Sequence, residues 1–250
     1  MENLRLKIRC CEDHWRELFA EAKRFNEKLI RWHNSRLQDQ YTTNTFCSDA
    51  AVRWEDVQQA YEYQKERGLN FLQFMCREPM EQKTAEKFDL QESLVLTMTL
   101  RSGTEQWKEN KEIVIRDVQT NHITDDIIAF HLKQEEETLK QSDYAYRQIL
   151  QDMDAAKTFP EYHWLTAYQN GEVVAICHVL CHGGCVEIDD LVVAPEARKQ
   201  YIATTLLKYA AEQFEGIKYL HADDDGTAKD IYSKLGFLTI DRCWEYRRVW

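Results

Sequence analysis

The fold of the second half of the chain is decided by one stretch, Leu191-Val-Val-Ala-Pro-Glu-Ala-Arg-Lys-Gln-Tyr-Ile-Ala-Thr-Thr-Leu-Leu207. An apolar strand ends at Pro195, and a basic turn leads directly into an amphipathic helix. The unpaired amides and the dipole at the start of a helix make such a joint suited to an anion. Arg198 and Lys199 stand at this helix start, where their charge opposes the dipole unless an anion occupies the turn. From these residues alone, an ordinary strand-to-helix connection with two exposed basic side chains is an equal alternative.

Strands and helices alternate around this joint. Apolar runs bounded by turn residues predict strands over 113–118, 163–168, 173–181, 185–193, 219–222 and 238–249. Helices are predicted over 124–134, 144–153, 199–214 and 228–234. Asn170-Gly171 and Gly183-Gly184 mark two tight hairpin turns. A hairpin series followed by strand–helix–strand–helix–strand predicts an α/β fold with a mixed sheet.

The first half reads as a smaller α/β segment. Apolar residues at roughly helical spacing predict helical structure over 11–37, and a second helix over 54–67 ends at Gly68. Strands are predicted over 69–75 and 93–100, with a short helix at about 79–87 between them. The polar stretch 101–111 contains a Ser-Gly turn signal and is the predicted domain boundary. The predicted domains are therefore 1–105 and 112–250.

Two motifs of the second half resemble a known family. The chain has Val193-Ala-Pro195 and then Arg198-Lys-Gln-Tyr-Ile-Ala203, which is similar to the V-x-P-x-x-R-x-x-G-x-G/A pattern of the GNAT-type acetyltransferases. About thirty residues later, Ala228-Lys-Asp-Ile-Tyr-Ser-Lys-Leu-Gly-Phe237 resembles the family's A-x-x-x-Y-x-K-L-G-F pattern. The resemblance covers about residues 112–250. The first half resembles the later part of the same fold more weakly and has no R-x-x-G-x-G/A turn, so it is interpreted as a degenerate GNAT-like domain or an unrelated α/β cap.

The resemblance implies that acetyl-CoA is the cosubstrate. In the family, backbone amides of the turn hold the pyrophosphate, and the end of the preceding strand splays from its neighbour, pairs with the pantetheine and supplies an amide to the thioester carbonyl. The implied binding residues are Leu191, Val192, Val193, Arg198, Lys199, Gln200, Tyr201, Ile202, Ala203, Thr204 and, where many relatives have Asn, Asp225. Tyr201 departs from the pattern because glycine usually stands there and lets the backbone approach phosphate closely.

Two catalytic residues are predicted. An alkylammonium ion with a pKa near ~10.4 must lose a proton before it attacks a thioester. Glu187 stands eleven residues before Arg198, where several family members carry their base, and strand alternation places it with Asp189 on one face and Asp190 on the other. Two carboxylates on one strand face suggest an open cleft, although both would also suit a solvent-facing hairpin. Tyr232 matches the tyrosine that protonates the departing thiolate in many relatives, and its alternative role is an aromatic anchor for the last helix.

Cysteines and histidines are dense between Cys177 and Cys185. Zinc requires four ligands that converge, whereas strand alternation sends Cys177 and Cys181 to one side and His178 and His182 to the other. Buried thiols and an exposed turn histidine are therefore the favoured interpretation, and no metal site is predicted.

Composition limits the classes of partner. The 250 residues carry a net charge of −11, of which residues 1–110 contribute −2 and residues 111–250 contribute −9. An acidic surface disfavours nucleic acid and favours a cationic partner such as a small-molecule or peptide amine. We found no apolar run near the ~18 residues of a membrane span and no secretory h-region. Together with the eight cysteines, this predicts a soluble, cytoplasmic protein with reduced thiols.

These observations predict an acetyl-CoA-dependent N-acetyltransferase that acts on an amine by direct transfer in a ternary complex. Its acceptor, the length of the acyl chain and its oligomeric state are not specified by the sequence. The alternative is a non-catalytic CoA-binding or scaffold protein, which Tyr201, Asp225 and the motif-poor first half would favour.

Overall fold

The computed structural model describes residues 2–38, 43–117, 124–134 and 143–250. The helices are α1 (Glu2–Glu17), α2 (Trp54–Glu66), α3 (Gln82–Lys87), α4 (Asp125–Gln134), α5 (Tyr144–Thr158), α6 (Ile202–Gln213) and α7 (Thr227–Lys234). The strands are β1 (Glu21–Arg24), β2 (Ile30–His33), β3 (Phe46–Ser48), β4 (Phe71–Cys76), β5 (Gln91–Leu100), β6 (Val114–Asp117), β7 (Tyr162–Gln169), β8 (Glu172–His182), β9 (Cys185–Val193), β10 (Ile217–Asp223) and β11 (Phe237–Val249).

The chain divides into two compact units, each assembled from separate segments. The first unit comprises Met1–Trp15, Thr99–Leu220 and Tyr232–Leu238. The second comprises Arg16–Met98, His221–Ile231 and Thr239–Trp250. These units group the chain by compactness. The sequential division at 1–105 and 112–250 concerns family domains and stays a prediction.

The strands of the first unit follow the order β10-β9-β8-β7-β6. Neighbours from β6 to β9 are antiparallel, and β10 joins β9 in parallel, which confirms the predicted mixed sheet. The two hairpins close through Asn170 (φ 53°) with Gly171 (φ 86°) and through Gly183 (φ 60°) with Gly184 (φ 76°). Positive φ at both central residues is what a two-residue hairpin turn of type I′ requires.

Helices pack on both faces of these strands. On one face, the His131 ring of α4 meets Trp164 of β7 edge-on, with the ring centroids 5.6 Å apart. On the other face α6 contacts β7, β8 and β9, and Phe214 just beyond α6 lies 4.5 Å from the ring of His163. Because successive strand residues alternate faces, His163 and Trp164 contact different helix layers.

The second unit contains the strand order β1-β2-β3-β4-β11-β5, with α2 packed on β4. Its core includes Leu29, Phe46, Val57, Phe74 and Tyr246, which are completely buried. The Tyr246 hydroxyl also accepts a hydrogen bond of 2.9 Å from a backbone N–H, that of Met80, so the buried phenol is satisfied.

The predicted helical structure over 11–37 is wrong beyond Glu17, because a β1–β2 hairpin follows α1. Asn26 builds the turn. Its Oδ1 accepts the backbone N–H groups of Lys28 at 2.9 Å and Leu29 at 2.8 Å, while the Phe25 N–H bonds to the Leu29 carbonyl at 2.9 Å. An asparagine side chain that satisfies turn amides competes with helix formation, and here it outweighs the helical spacing of the apolar residues.

The other predicted helices and strands are present, most of them with shifted ends. The largest difference is α5, which continues to Thr158 instead of ending at Met153. Gly68 ends α2 with φ 69°, as predicted. Val118, the last residue of the predicted strand over 113–118, lies outside the described residues. Among the helices of the described ranges, none combines the length and the apolar content needed to cross a bilayer.

Candidate active site

The edge of β9 that faces β10 is open over its second half. Pairing between the two parallel strands ends at Ile188 opposite Leu220. β9 continues to Val193, which still pairs with Ala175 of β8 on its other side. Over the described residues, the backbone groups of this open edge have no ladder partner in β10, and an extended ligand is able to pair with them. The predicted pantetheine-binding residues 191–193 lie on this edge.

A β-bulge interrupts the open stretch. The pairs His178–Asp189 and Ile176–Val192 enclose one more residue on β9 than on β8. Asp190 lies in this interval with φ 48°, a left-handed conformation. A bulge of this kind breaks the alternation of side chains along a strand.

The bulge moves Asp190 away from its predicted face. His178 shares a strand face with Leu180, the residue opposite Glu187. The Asp190 carboxylate lies 3.7 Å from Nδ1 of His178 and 3.4 Å from Nε2 of His131. The prediction that Asp190 and Glu187 occupy opposite faces is therefore wrong, because strict alternation does not hold through the bulge.

The turn between β9 and α6 supplies left-handed backbone at two positions. After the 3-10 turn Pro195–Ala197, Lys199 has φ 63° and Tyr201 has φ 60°. Left-handed residues in a short turn gather neighbouring N–H groups into a concavity that suits an anion. Thr205 donates its N–H to the Tyr201 carbonyl at 2.9 Å. The amides of the first helical turn before it, those of residues 202–204, have no acceptor within the helix.

Tyr201 adopts the backbone conformation that glycine would supply. Its φ of 60° and ψ of 15° are left-handed, which costs a residue other than glycine about 1–2 kcal/mol. The ring is 49% exposed, and the Lys108 ammonium lies 5.5 Å from its centroid. The ring borders a cavity of about 750 Å³ together with Thr204 and Lys234. The substitution therefore preserves the geometry of the turn while it places an aromatic side chain at the rim.

Polar side chains of the turn also bond within the protein. The Arg198 Nε donates to the Val193 carbonyl at 3.2 Å, at the end of β9. Gln200 Nε2 donates to the Glu196 carbonyl at 3.4 Å, and Glu196 pairs with Lys133 at 3.1 Å. Lys199 is exposed. The predicted phosphate-binding stretch is thus a folded turn with its cations at the surface.

Glu187 is buried under α1. Its side chain is 5% exposed, and its Oε2 accepts a hydrogen bond of 2.7 Å from the Tyr219 hydroxyl. Burial raises the pKa of Tyr219 well above its usual range, so the phenol stays a donor. Cys11 of α1 also interacts with Tyr219, and burial raises the pKa of this thiol to about 12. The prediction of an open cleft around Glu187 is therefore wrong, because the N-terminal helix covers this side chain.

Tyr232, the predicted acid, is partly buried on α7, with its ring centroid 6.0 Å from that of Phe237. Burial raises the pKa of Tyr232 to about 12, and the charges of Cys177 and Asp189 contribute to the rise. A phenol that holds its proton at neutral pH is available as a proton donor. Asp225 lies exposed in the turn after β10, and its contact with a cofactor stays a prediction.

The polar segment 101–111 contributes residues that the sequence did not predict for the site. Trp107 is 8% exposed and donates its indole N–H to the Leu235 carbonyl at 3.0 Å. The Asn110 N–H donates to Thr205 Oγ1 of α6 at 2.9 Å. These contacts hold Lys108 beside Tyr201 at the rim of the cavity. A single tryptophan inside a polar stretch was the available sequence signal for this packing.

The thiols and imidazoles between Cys177 and Cys185 do not converge. Cys177 and Cys185 are buried. His182 stacks on His14 of α1, with the ring centroids 3.7 Å apart and the planes inclined by 19°. Within the ranges that the structure describes, no group of three or more His, Cys, Asp or Glu side chains is arranged to hold a metal ion.

Comparison with protein-family models gives a match in the second half of the chain. Residues 160–238 match the family model of the acetyltransferase (GNAT) domain. The match runs from the end of α5 to the start of β11 and includes the open strand, the turn and Tyr232. This part of the chain is therefore similar to a GNAT domain, as the sequence motifs indicated. A search of curated proteins gives no significant match.

Solved structures with the same fold span nearly the whole chain. A functionally unknown conserved protein from Staphylococcus epidermidis aligns with a TM-score of 0.77 at 17% identity, over 92% of this chain and 94% of its own. A GCN5-related N-acetyltransferase from Kribbella flavida aligns with a TM-score of 0.62 at 11% identity, over 96% and 94%. A tandem GNAT protein from the clavulanic acid biosynthesis pathway aligns with a TM-score of 0.57 at 12% identity, over 88% and 78%. At these identities the likeness concerns the fold, and it extends to the N-terminal half, which is GNAT-like.

Proposed function

We propose that the protein transfers the acetyl group of acetyl-CoA to an amine by direct attack in a ternary complex. The observation that carries the proposal is the continuity of the open edge of β9 with the left-handed turn and the free amides at the start of α6. In this proposal Leu191, Val192 and Val193 pair with the pantetheine arm. The turn Arg198 to Thr204 holds the pyrophosphate. The residues present fit acetyl-CoA, because both backbone features expose N–H groups along one path.

The chemical steps use groups of this chain. A backbone N–H on the open edge polarises the thioester carbonyl, an effect typically worth ~2.7–4 kcal/mol. Tyr232 keeps its proton at neutral pH and supplies it to the departing thiolate. Glu187 was predicted as the base, but a side chain that is 5% exposed is able to act only through an intervening group.

The acceptor is proposed to be a cationic small-molecule or peptide amine. The net charge of −11 favours cations over phosphate backbones, so neither nucleic acid nor a membrane is proposed as a partner. All eight cysteines are free in the structure. Free thiols are typical of a reducing compartment, which supports a cytoplasmic location.

The N-terminal half is proposed to be a degenerate second GNAT domain, which makes the chain a tandem. Its fold likeness supports this interpretation, and its sequence lacks the R-x-x-G-x-G/A turn. Tyr201 does not support the alternative of a CoA-binding protein without catalysis, because this residue adopts the left-handed conformation of the usual glycine.

Calorimetric titration with acetyl-CoA tests the proposal. We expect micromolar binding by the wild type and equal or tighter binding by Tyr201→Gly, because glycine adopts φ 60° without strain. Tyr201→Pro is the matched disruption, since proline fixes φ near −65° and removes the turn geometry. Melting temperatures show that each variant is folded. Release of CoA thiol in the presence of primary amines then tests turnover, and a wild type that binds no acetyl-CoA would overturn the proposal.

A further inference from the structure

Asp190 is the half-exposed carboxylate on the open edge of β9. Its side chain is 36% exposed, and one carboxylate oxygen lies 3.4 Å from Nε2 of His131 and 3.7 Å from Nδ1 of His178. Among the described residues, these two imidazoles are the only basic side chains within 4 Å of the carboxylate. The carboxylate therefore has one side against the protein and one side toward solvent.

The two imidazoles behind Asp190 are buried. Their side chains are 5% and 6% exposed, and Trp164 packs against both rings, 5.6 Å from His131 and 4.8 Å from His178. The Tyr162 hydroxyl lies 3.0 Å from Nδ1 of His178. Nε2 of His178 is buried with no hydrogen-bond partner in the part of the chain that the structure describes. Burial lowers the pKa of His178 to about 4, so this ring is neutral at pH 7.

The electrostatic surroundings favour a cation at Asp190. Buried Tyr162 has a raised pKa, caused first by burial and then by Asp152, Asp190, Asp189 and Glu187. Four carboxylates therefore act on one small region. Of these, Glu187 is covered by α1, whereas Asp190 lies on the edge that β10 leaves open. An ammonium group is drawn to such a region and meets Asp190 at its surface.

We infer that Asp190 is the catalytic carboxylate that binds the acceptor ammonium and takes its proton, and that His131 is a positioning residue. This inference rests on the proposed function. The N–H bond of the ammonium breaks and its proton passes to a carboxylate oxygen of Asp190. The nitrogen lone pair forms the C–N bond while the C–S bond of the thioester breaks, and the sulfur takes the hydroxyl proton of Tyr232. The second N–H proton that the nitrogen loses as the amide forms returns to the Tyr232 oxygen, and Asp190 releases its proton to solvent.

Asp190→Asn is the test variant, because asparagine also accepts the left-handed backbone at φ 48°. Asp89→Asn is its matched control, since Asp89 is exposed and left-handed at φ 53°. With butylamine, spermidine and Nα-acetyl-lysine as acceptors, we expect kcat/KM to fall about 100-fold or more in Asp190→Asn and to stay within about twofold in Asp89→Asn. We also expect kcat/KM to fall further in Asp190→Asn than in Glu187→Gln. A larger fall in Glu187→Gln would overturn the inference.

Two further readouts separate proton removal from a structural effect. The first is calorimetric titration of spermidine into protein saturated with CoA, which carries no acetyl group to react. We expect spermidine to bind Asp190→Asn about tenfold more weakly than Asp89→Asn, because a charge-assisted hydrogen bond is lost. Trifluoroethylamine is largely neutral at pH 7 and attacks without first losing a proton, so we expect the defect of Asp190→Asn to shrink with this acceptor. An equal defect with butylamine and trifluoroethylamine would refute proton removal by Asp190.

The role of His131 is tested by a pair of variants. His131→Gln keeps a side-chain N–H donor for Asp190, whereas His131→Phe removes it. We expect kcat to be largely retained in the first variant and to fall in the second, with acetyl-CoA affinity unchanged in both. A wild type that neither binds nor acetylates any of these amines would reject the proposed function and Asp190 with it. An active wild type with Asp190→Asn equal to Asp89→Asn would reject the inference alone.

Discussion

Tyr219 and Glu187 lie opposite each other on β10 and β9, and the tyrosine hydroxyl donates a hydrogen bond of 2.7 Å to the carboxylate. Both side chains are buried, Tyr219 completely. A buried carboxylate is tolerated when hydrogen bonds replace its water, and the phenol supplies one of them. The pair therefore stabilises the junction between the strands below the point where they separate.

Tyr219→Phe is expected to lower the free energy of unfolding by about 1–3 kcal/mol, because it removes a donor from a buried carboxylate without changing the shape of the ring. Chemical denaturation measures the change. Tyr146→Phe is the control, since Tyr146 is 46% exposed and its loss of a hydroxyl should stay within about 0.5 kcal/mol. Equal stabilities for the two variants would show that the Tyr219–Glu187 bond contributes nothing.

His178 is expected to make the protein less stable in acid. Burial lowers its pKa from 6.5 to about 4, so between these values the unfolded chain binds a proton that the folded protein does not. Stability therefore falls as the pH decreases from 6.5 to 4, by about 3 kcal/mol from this residue. His178→Gln should lose that part of the slope in pH-dependent urea denaturation. Above pH 7 its difference from the wild type should be constant, and identical slopes below pH 6.5 would contradict the argument.

Much of the fold was predictable because its signals are local. Two tight hairpin turns were predicted from their residues alone, Asn170-Gly171 and Gly183-Gly184. The apolar run of β9 predicted a strand, and its bounds 185–193 agree with the structure. The prediction of helical structure after Glu17 was wrong for a physical reason. Its apolar spacing resembles that of a helix, and the competing signal is the side chain of Asn26, whose bonds form only once the chain has turned back.

The site was predictable where backbone pattern determines it and not where tertiary packing does. The strand, turn and helix of residues 191–204 follow from their motif, whereas a bulge at Asp190 breaks the alternation from which side-chain directions were read. Burial of Glu187 depends on α1, which is distant in sequence and carries no motif. His131 and Lys108 reach the site from segments that sequence analysis treated as a helix and a boundary.

Tyr232→Phe is expected to lower kcat by about 10–100-fold while acetyl-CoA affinity is retained, because the ring remains and only the proton donor is lost. The pKa of Tyr232 is raised to about 12, mainly by burial, so its hydroxyl stays protonated well above pH 7. Wild-type kcat should therefore show no decrease from Tyr232 ionisation between pH 8 and 10. Steady-state rates over this range check both statements, and an unchanged kcat in the variant would remove Tyr232 from the mechanism.

Gly236 follows α7 and adopts φ 92°, and a Cβ built there would clash with Ser102 Oγ and lie 3.2 Å from Ser102 Cβ. Gly68 is the matched control, because its φ is 69° and a Cβ there meets nothing within 4 Å. Gly68→Ala should therefore lower the free energy of unfolding only by the strain of a left-handed alanine, about 1–2 kcal/mol. Gly236→Ala should lower it more, because the side chain of Ser102 must also move. Adding Ser102→Gly to Gly236→Ala should return the loss to the level of Gly68→Ala in chemical denaturation. If the two single alanine variants lose equal stability, Ser102 yields freely and the segment that begins there is not held against the end of α7.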